Sequence, residues 1–211
     1  MEKATSLAGR AGEFAAALEH PSDLMANLRR LDELMEQAAC GLDSVVRELP
    51  IADIGCGDGD LGFFFESLGY RVHVVVDLDV EEGLRLPAPR YGLVSLVGLL
   101  PRLKNPYGVL EELSQLSRHC FLGTRVARFA PDGTKIGRLP VAYLLDEPET
   151  NDATAGYWIC SPAGLRQLLR RTGWEIVARV MAGSERSDPV TSDGEGQAFM
   201  LLRSRSAAPW Y

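Results

Sequence analysis

Cysteine is scarce and scattered in this chain. Cys40, Cys56, Cys120 and Cys160 form no CxxC pair, so the ligand spacing of structural zinc sites is absent and no metal is expected. The opening residues, MEKATSLAGRAGEF, lack the continuous apolar core of an export signal. No run approaches the roughly 18 apolar residues of a membrane span. The expectation is a cytoplasmic protein with free thiols, no disulfides and no membrane partner. Histidine is rare as well: His20, His73 and His119 are the only three. There is no GxSxG and no HExxH, so hydrolase readings lack support. Positive charge is in deficit, with 22 Lys and Arg against 29 Asp and Glu and a net charge of -7. Binding a phosphate backbone rests on Lys and Arg, so this balance argues against nucleic acid and for a small-molecule substrate.

What is present suits one α/β domain. The 211 residues, 46% hydrophobic, are enough to bury roughly 70% of the unfolded surface without staples. Phe14, Leu18, Leu24, Leu28, Leu31, Leu34 and Met35 recur at helical spacing, so residues 1–47 read as an N-terminal helical lid. Pro21-Ser22-Asp23 breaks that stretch and offers Ser22 or Asp23 as a helix cap. Ile51 to Ile54 reads as a buried strand, Leu61 to Leu68 as a helix stopped by Gly69, and Val72 to Val76 as a second strand. Gly92 to Val97 reads as another strand, Tyr107 to Ser117 as an amphipathic helix, and Cys120 to Val126 as a strand. Residues 130–157 read as a long loop with one short helix. Ser161 and Pro162 open a helix that stops at Gly173; Trp174 to Met181 and Ala198 to Arg203 close the chain as an antiparallel hairpin edge. Alternating strands and helices imply a Rossmann-like, doubly wound, mostly parallel sheet with an antiparallel last strand. This domain spans 48–205, with 206–211 as a tail.

The stretch IADIGCGDGDLG, Ile51 to Gly62, is strand, glycine turn and helix. Such a turn exposes backbone N–H groups at the carboxyl end of a strand, where open α/β sheets bind ligands. Gly57 to Gly62 fits GxGxxG, and Asp77 lies 20 residues past Gly57, so a dinucleotide is one reading. Charge favours another. Asp53, Asp58 and Asp60 surround the turn and would repel a pyrophosphate, whereas they attract the ammonium and sulfonium of S-adenosylmethionine.

The register Asp53-x-Gly55-x-Gly57-x-Gly59 resembles the first motif of class I S-adenosylmethionine-dependent methyltransferases. The resemblance runs from about residue 50 to 203. It implies that Asp53, Gly55, Cys56, Gly57, Asp58 and Gly59 hold the methionine moiety of the cofactor. Gly92 to Leu100 resembles the family's fourth strand and the turn after it, which places Val97 and Gly98 beside the methyl group. Tyr157 to Pro162, with Gly173-Trp174, is similar to tRNA wobble-uridine carboxymethyl-type methyltransferases and to small-molecule relatives. Two departures stand out. Only 14 residues separate Asp77 from Gly92, where the family fits a helix and a third strand. The sheet is therefore expected to be shortened at the third-strand edge, and Asp77 and Asp79 compete for the ribose and adenine roles. Relatives often carry Tyr-His after the fourth strand; this chain has Pro101-Arg102, so a general base is missing there.

Arg102 is thus a candidate for orienting an anionic acceptor, and Tyr157 and Trp158 are candidates for a substrate wall. His73 and His119 read as packing or surface imidazoles and His20 as solvated. Arg166, Arg170 and Arg171 read as a solvated helix face, and Asp146, Glu147, Glu149 and Asp152 as surface acids. The expected activity is methyl transfer to a small molecule. The alternative is a degenerate methyltransferase fold that serves as an accessory or partner-binding protein.

Overall fold

Side-chain alternation builds the sheet. Ile51 of β1 (Ile51–Ile54), Leu93 of β3 (Tyr91–Val97) and Phe121 of β4 (Ser117–Val126) face one core; Ala52, Val94 and Cys120 face the other. The computed structural model describes residues 6–16, 18, 21–55, 57–75, 86–146, 156–190 and 195–206. β2 (Val72–Val75) pairs with β1, β1 with β3 and β3 with β4, all parallel. β8 (Gly196–Ser204) runs antiparallel between β4 and β7 (Trp174–Gly183). The closing hairpin is therefore folded inward: its last strand lies inside the sheet, and among the described residues β7 is a terminal strand. Among the described residues β2 is the opposite edge. Residues 76–85, Asp77 and Asp79 included, lie outside them.

One face carries α3 (Pro21–Gln37), α4 (Leu42–Val46) and α5 (Asp60–Ser67); the other carries α6 (Pro106–Leu116) and α7 (Pro162–Arg171). Leu24, Leu28, Leu31 and Leu34 are all buried, and their stripe seats α3 against β7 and β8. The sequence offered Ser22 or Asp23 as its cap, but the helix already includes Pro21. Proline suits the first turn because its missing N–H would have no helical partner there. Ser161 caps α7 as expected, accepting from Gly164 N at 2.9 Å. Asn105 caps α6, accepting from Gly108 N at 2.9 Å, so that helix starts one residue earlier than its periodicity indicates. β4 likewise starts at Ser117 and follows α6 without a loop.

The segment 130–157 departs further from expectation. It contains a strand, β5 (Ala142–Leu144), paired antiparallel with β6 (Trp158–Cys160), and no helix among the described residues. β6 joins the main sheet through Val126 and Cys160. Each strand is three residues long, too short for a period-two pattern to show.

Ahead of α3 lie two short helices, α1 (Leu7–Arg10) and α2 (Gly12–Ala15). Asp32 of α3 accepts from Leu7 N at 2.8 Å and Ala8 N at 2.9 Å, tying α1 down by its own exposed donors. Asp32→Ala is expected to lower stability by about 1–2 kcal/mol, read by urea denaturation. An unchanged midpoint would show that these contacts do not hold α1. Among the described residues no helix is long and apolar enough to cross a membrane.

Candidate functional site

β1 ends at Ile54, and the chain turns through Gly55 to Gly59 into α5. Gly55, Gly57 and Gly59 all take positive φ, at 65°, 56° and 80°. Gly57 is the exposed point of the turn. A Cβ built there meets nothing within 4 Å, so the backbone is open to approach.

Asp53 lies beneath this turn and is only 2% exposed. Its Oδ2 accepts from Gly62 N at 2.8 Å, in the first turn of α5. Gly62 permits that contact: a Cβ would stand 2.9 Å from Val74 Cγ2 and 3.1 Å from Asp53 Oδ2. Burial pushes the Asp53 carboxyl up to about 6, while Ser95 and the Gly62 N–H pull it down. Ser95, its register partner on β3, lies close enough to act on that charge, but its buried hydroxyl makes no hydrogen bond of acceptable geometry.

A cavity of about 380 Å³ opens above Asp53 at the carboxyl ends of β1 and β3. Gly55, Gly57 and Asp58 form its floor with Asp53, and Asp60 and Leu61 of α5 add one side. Val97, Gly98, Leu99 and Arg102, from the end of β3 and the 3₁₀ turn Leu100–Arg102, form another. Asp23, Leu24 and Asn27 of α3 complete it. Among the described residues, Asp23, Asp53, Asp58 and Asp60 meet a single cavity guanidinium, Arg102, so this lining favours a cation.

The structure gathers Asp53, Gly55, Gly57, Asp58, Val97, Gly98 and Arg102 around one space. Gly59 is buried behind the turn as the residue before α5. Cys56 lies outside the described residues, as do Asp77 and Asp79. Tyr157 and Trp158 stand elsewhere: Trp158 lines a second cavity, and Tyr157 is exposed beside it. They nevertheless brace the Arg102 turn, Tyr157 N donating to Pro101 O at 2.7 Å and Trp158 Nε1 to Leu103 O at 2.8 Å. The α3 residues escaped sequence reading as wall residues. Their signal was the spacing of Asp23 and Asn27, four apart and so on one helix side.

The described histidines serve packing. His73 Nδ1 lies 2.9 Å from Tyr91 Oη. His119 Nδ1 lies 3.2 Å from Val45 O, and burial holds its ring below the ordinary imidazole range. Neither lines the cavity, whose described titratable groups are the four carboxylates and Arg102.

No family model matches the chain, and no curated protein matches it. Solved structures do. The N-terminal domain of EvdMO1, with S-adenosylhomocysteine bound, aligns at a TM-score of 0.54 and 15% identity, over 89% of this chain and 85% of that one. The CcbJ methyltransferase from Streptomyces caelestis aligns at 0.51 and 15%, over 96% and 99%. A SAM-dependent methyltransferase from Methanosarcina mazei aligns at 0.52 and 14%, over 77% and 96%. This chain has the class I methyltransferase fold. In this sheet β3 lies between β1 and β4, and the turn after it carries Arg102 into the cavity.

Proposed function

We propose that this protein is an S-adenosylmethionine-dependent methyltransferase acting on a small-molecule acceptor. The observation that carries the reading is the cavity at the carboxyl ends of β1 and β3, whose described lining holds four carboxylates and one guanidinium. A dinucleotide pyrophosphate would be repelled there; a ligand with an ammonium and a sulfonium is drawn in. The EvdMO1 domain that shares the fold holds S-adenosylhomocysteine, the demethylated product.

S-adenosylmethionine supplies the methyl group, carried on a sulfonium. The chain's own contribution is placement. Gly57 leaves the turn open, Asp53 and Asp58 set the negative floor, and Val97 and Gly98 flank the transfer point. The Arg102 guanidinium orients an anionic group carried by the acceptor molecule, such as a carboxylate. Since the described groups at the turn after β3 include no base, catalysis rests on alignment. The reading suits an acceptor that is already nucleophilic when it binds: a neutral amine, which sheds its proton to solvent after the transfer, or a thiol or acidic hydroxyl that ionises beforehand. Residues 1–47 act as a lid, with α3 supplying one wall of the cavity.

Thermal unfolding tests this reading. At a cofactor concentration about 100-fold above Kd, binding adds about 2.7 kcal/mol and should raise Tm by roughly 5–10 °C. A Tm that does not move with S-adenosylmethionine would favour an accessory protein that has lost the cofactor. RNA binding that weakens steeply with salt would count against the small-molecule acceptor.

A further inference from the structure

A second cavity of about 300 Å³ lies on the other side of the Arg102 turn, at the carboxyl end of β4. Leu100 and Pro101 of the turn, Tyr107 of α6, Ala142 of β5, Trp158 of β6 and Leu168 of α7 form its walls. Its polar wall groups carry little free charge. Arg125 is ion-paired with Glu195 at 3.1 Å, and burial pushes the Cys160 thiol up to about 11. The surface around it is apolar as well. Tyr107, Leu139, Val141, Leu144 and Tyr157 account for five of the six large hydrophobic side chains left exposed among the described residues. Tyr107 and Val141 belong to the cavity itself, and Leu144 is the register partner of Trp158. An apolar rim around an apolar hollow of this size fits a small ring system better than a flat protein face.

We infer that this cavity takes the apolar ring portion of the methyl acceptor, so that the substrate class is a ring-bearing, largely hydrophobic small molecule. The inference rests on the methyltransferase reading above. Its geometric basis is the shared wall: Val97, Gly98, Leu99 and Arg102 line the cofactor cavity, while Leu100 and Pro101 line this one. A ring that fills this cavity touches Leu100 and Pro101 and so stands against that turn. The hairpin's bonds to Pro101 O and Leu103 O fix the turn while the hairpin's own strands build the cavity.

The probe is 2-naphthol, titrated by calorimetry into the full chain saturated with S-adenosylhomocysteine. Saturable binding is expected. Ala142→Trp and, separately, Val141→Trp should weaken it at least tenfold, because both positions are exposed and line the cavity. Neither should alter S-adenosylhomocysteine affinity or the circular-dichroism melt. If S-adenosylhomocysteine binds but naphthol does not, or binds both variants as well as the parent, the ring assignment is overturned and the methyltransferase reading stands. If naphthol binds and S-adenosylhomocysteine does not, the methyltransferase reading fails and the acceptor role fails with it. If the parent is a dimer and both variants are monomers, the face is an interface between copies and the inference is overturned.

Discussion

Asp53→Asn should make the ligand-free protein more stable at pH 8 while weakening S-adenosylmethionine binding at least tenfold. Asp53 is buried, and its pKa rises from 3.8 in the free side chain to about 6 in the fold. A carboxyl whose folded pKa is raised opposes folding once it ionises. Its cost is absent below about pH 4, grows between pH 4 and 6, and is complete above that window, at about 3 kcal/mol. Asparagine stays neutral throughout and keeps an oxygen for the Gly62 N–H. Parent and variant should therefore have similar stability at pH 4 and diverge up to pH 6, with the variant ahead from there to pH 8. Urea denaturation at pH 4, 5, 6 and 8 reads this directly. Parallel curves, or a variant less stable at pH 8, would show that Asp53 is not held against its ionisation. Keeping a costly buried charge beneath the proposed cofactor cavity is the stability–function exchange expected of a binding site.

Gly57→Val should abolish cofactor binding, with at least a hundredfold loss of affinity by calorimetry. Two effects act together. At φ 56° a β-branched residue is strained, at a cost on the order of 1–3 kcal/mol. The new side chain also fills the open side of the turn, where the ligand must approach the backbone. The effects separate experimentally. Strain shows in urea denaturation without ligand; blockage shows as lost affinity at a temperature where the variant is still folded. Near-parental affinity in a folded variant would place the ligand away from this turn.

The parts of this site made by neighbouring residues were legible in the sequence. Ile51 to Gly62 announced strand, turn and helix because its glycines, carboxylates and apolar residues sit within one short stretch. The burial of β1, β3 and β4 followed from continuous apolar runs. Contributions from distant residues were not legible. Asp23 and Asn27 reach the cavity only because α3 packs across β7 and β8, more than a hundred residues downstream. Asp32 reads as an ordinary helical acid, yet it anchors α1 from 25 residues away. The β5–β6 hairpin stayed hidden because Ala142, Tyr143 and Leu144 are all at least partly exposed, with Pro140 and Asp146 close by as loop signals. Tyr157 and Trp158 were singled out as substrate walls. Trp158 lines the second cavity, across the Arg102 turn from the space above Asp53, and Tyr157 is exposed next to it in the chain.

Calorimetric titration of S-adenosylmethionine at pH 6, in two buffers of different ionisation enthalpy, tests the central claim most directly. Near this pH about half of the Asp53 carboxyls carry a proton. A cation entering the cavity lowers that pKa, so binding should be 1:1 and release up to about half a proton, with the observed heat depending on the buffer. Asp53→Asn should lose the proton release, and NAD should give no binding heat. Absence of binding by S-adenosylmethionine, or tight binding of NAD, would contradict the account.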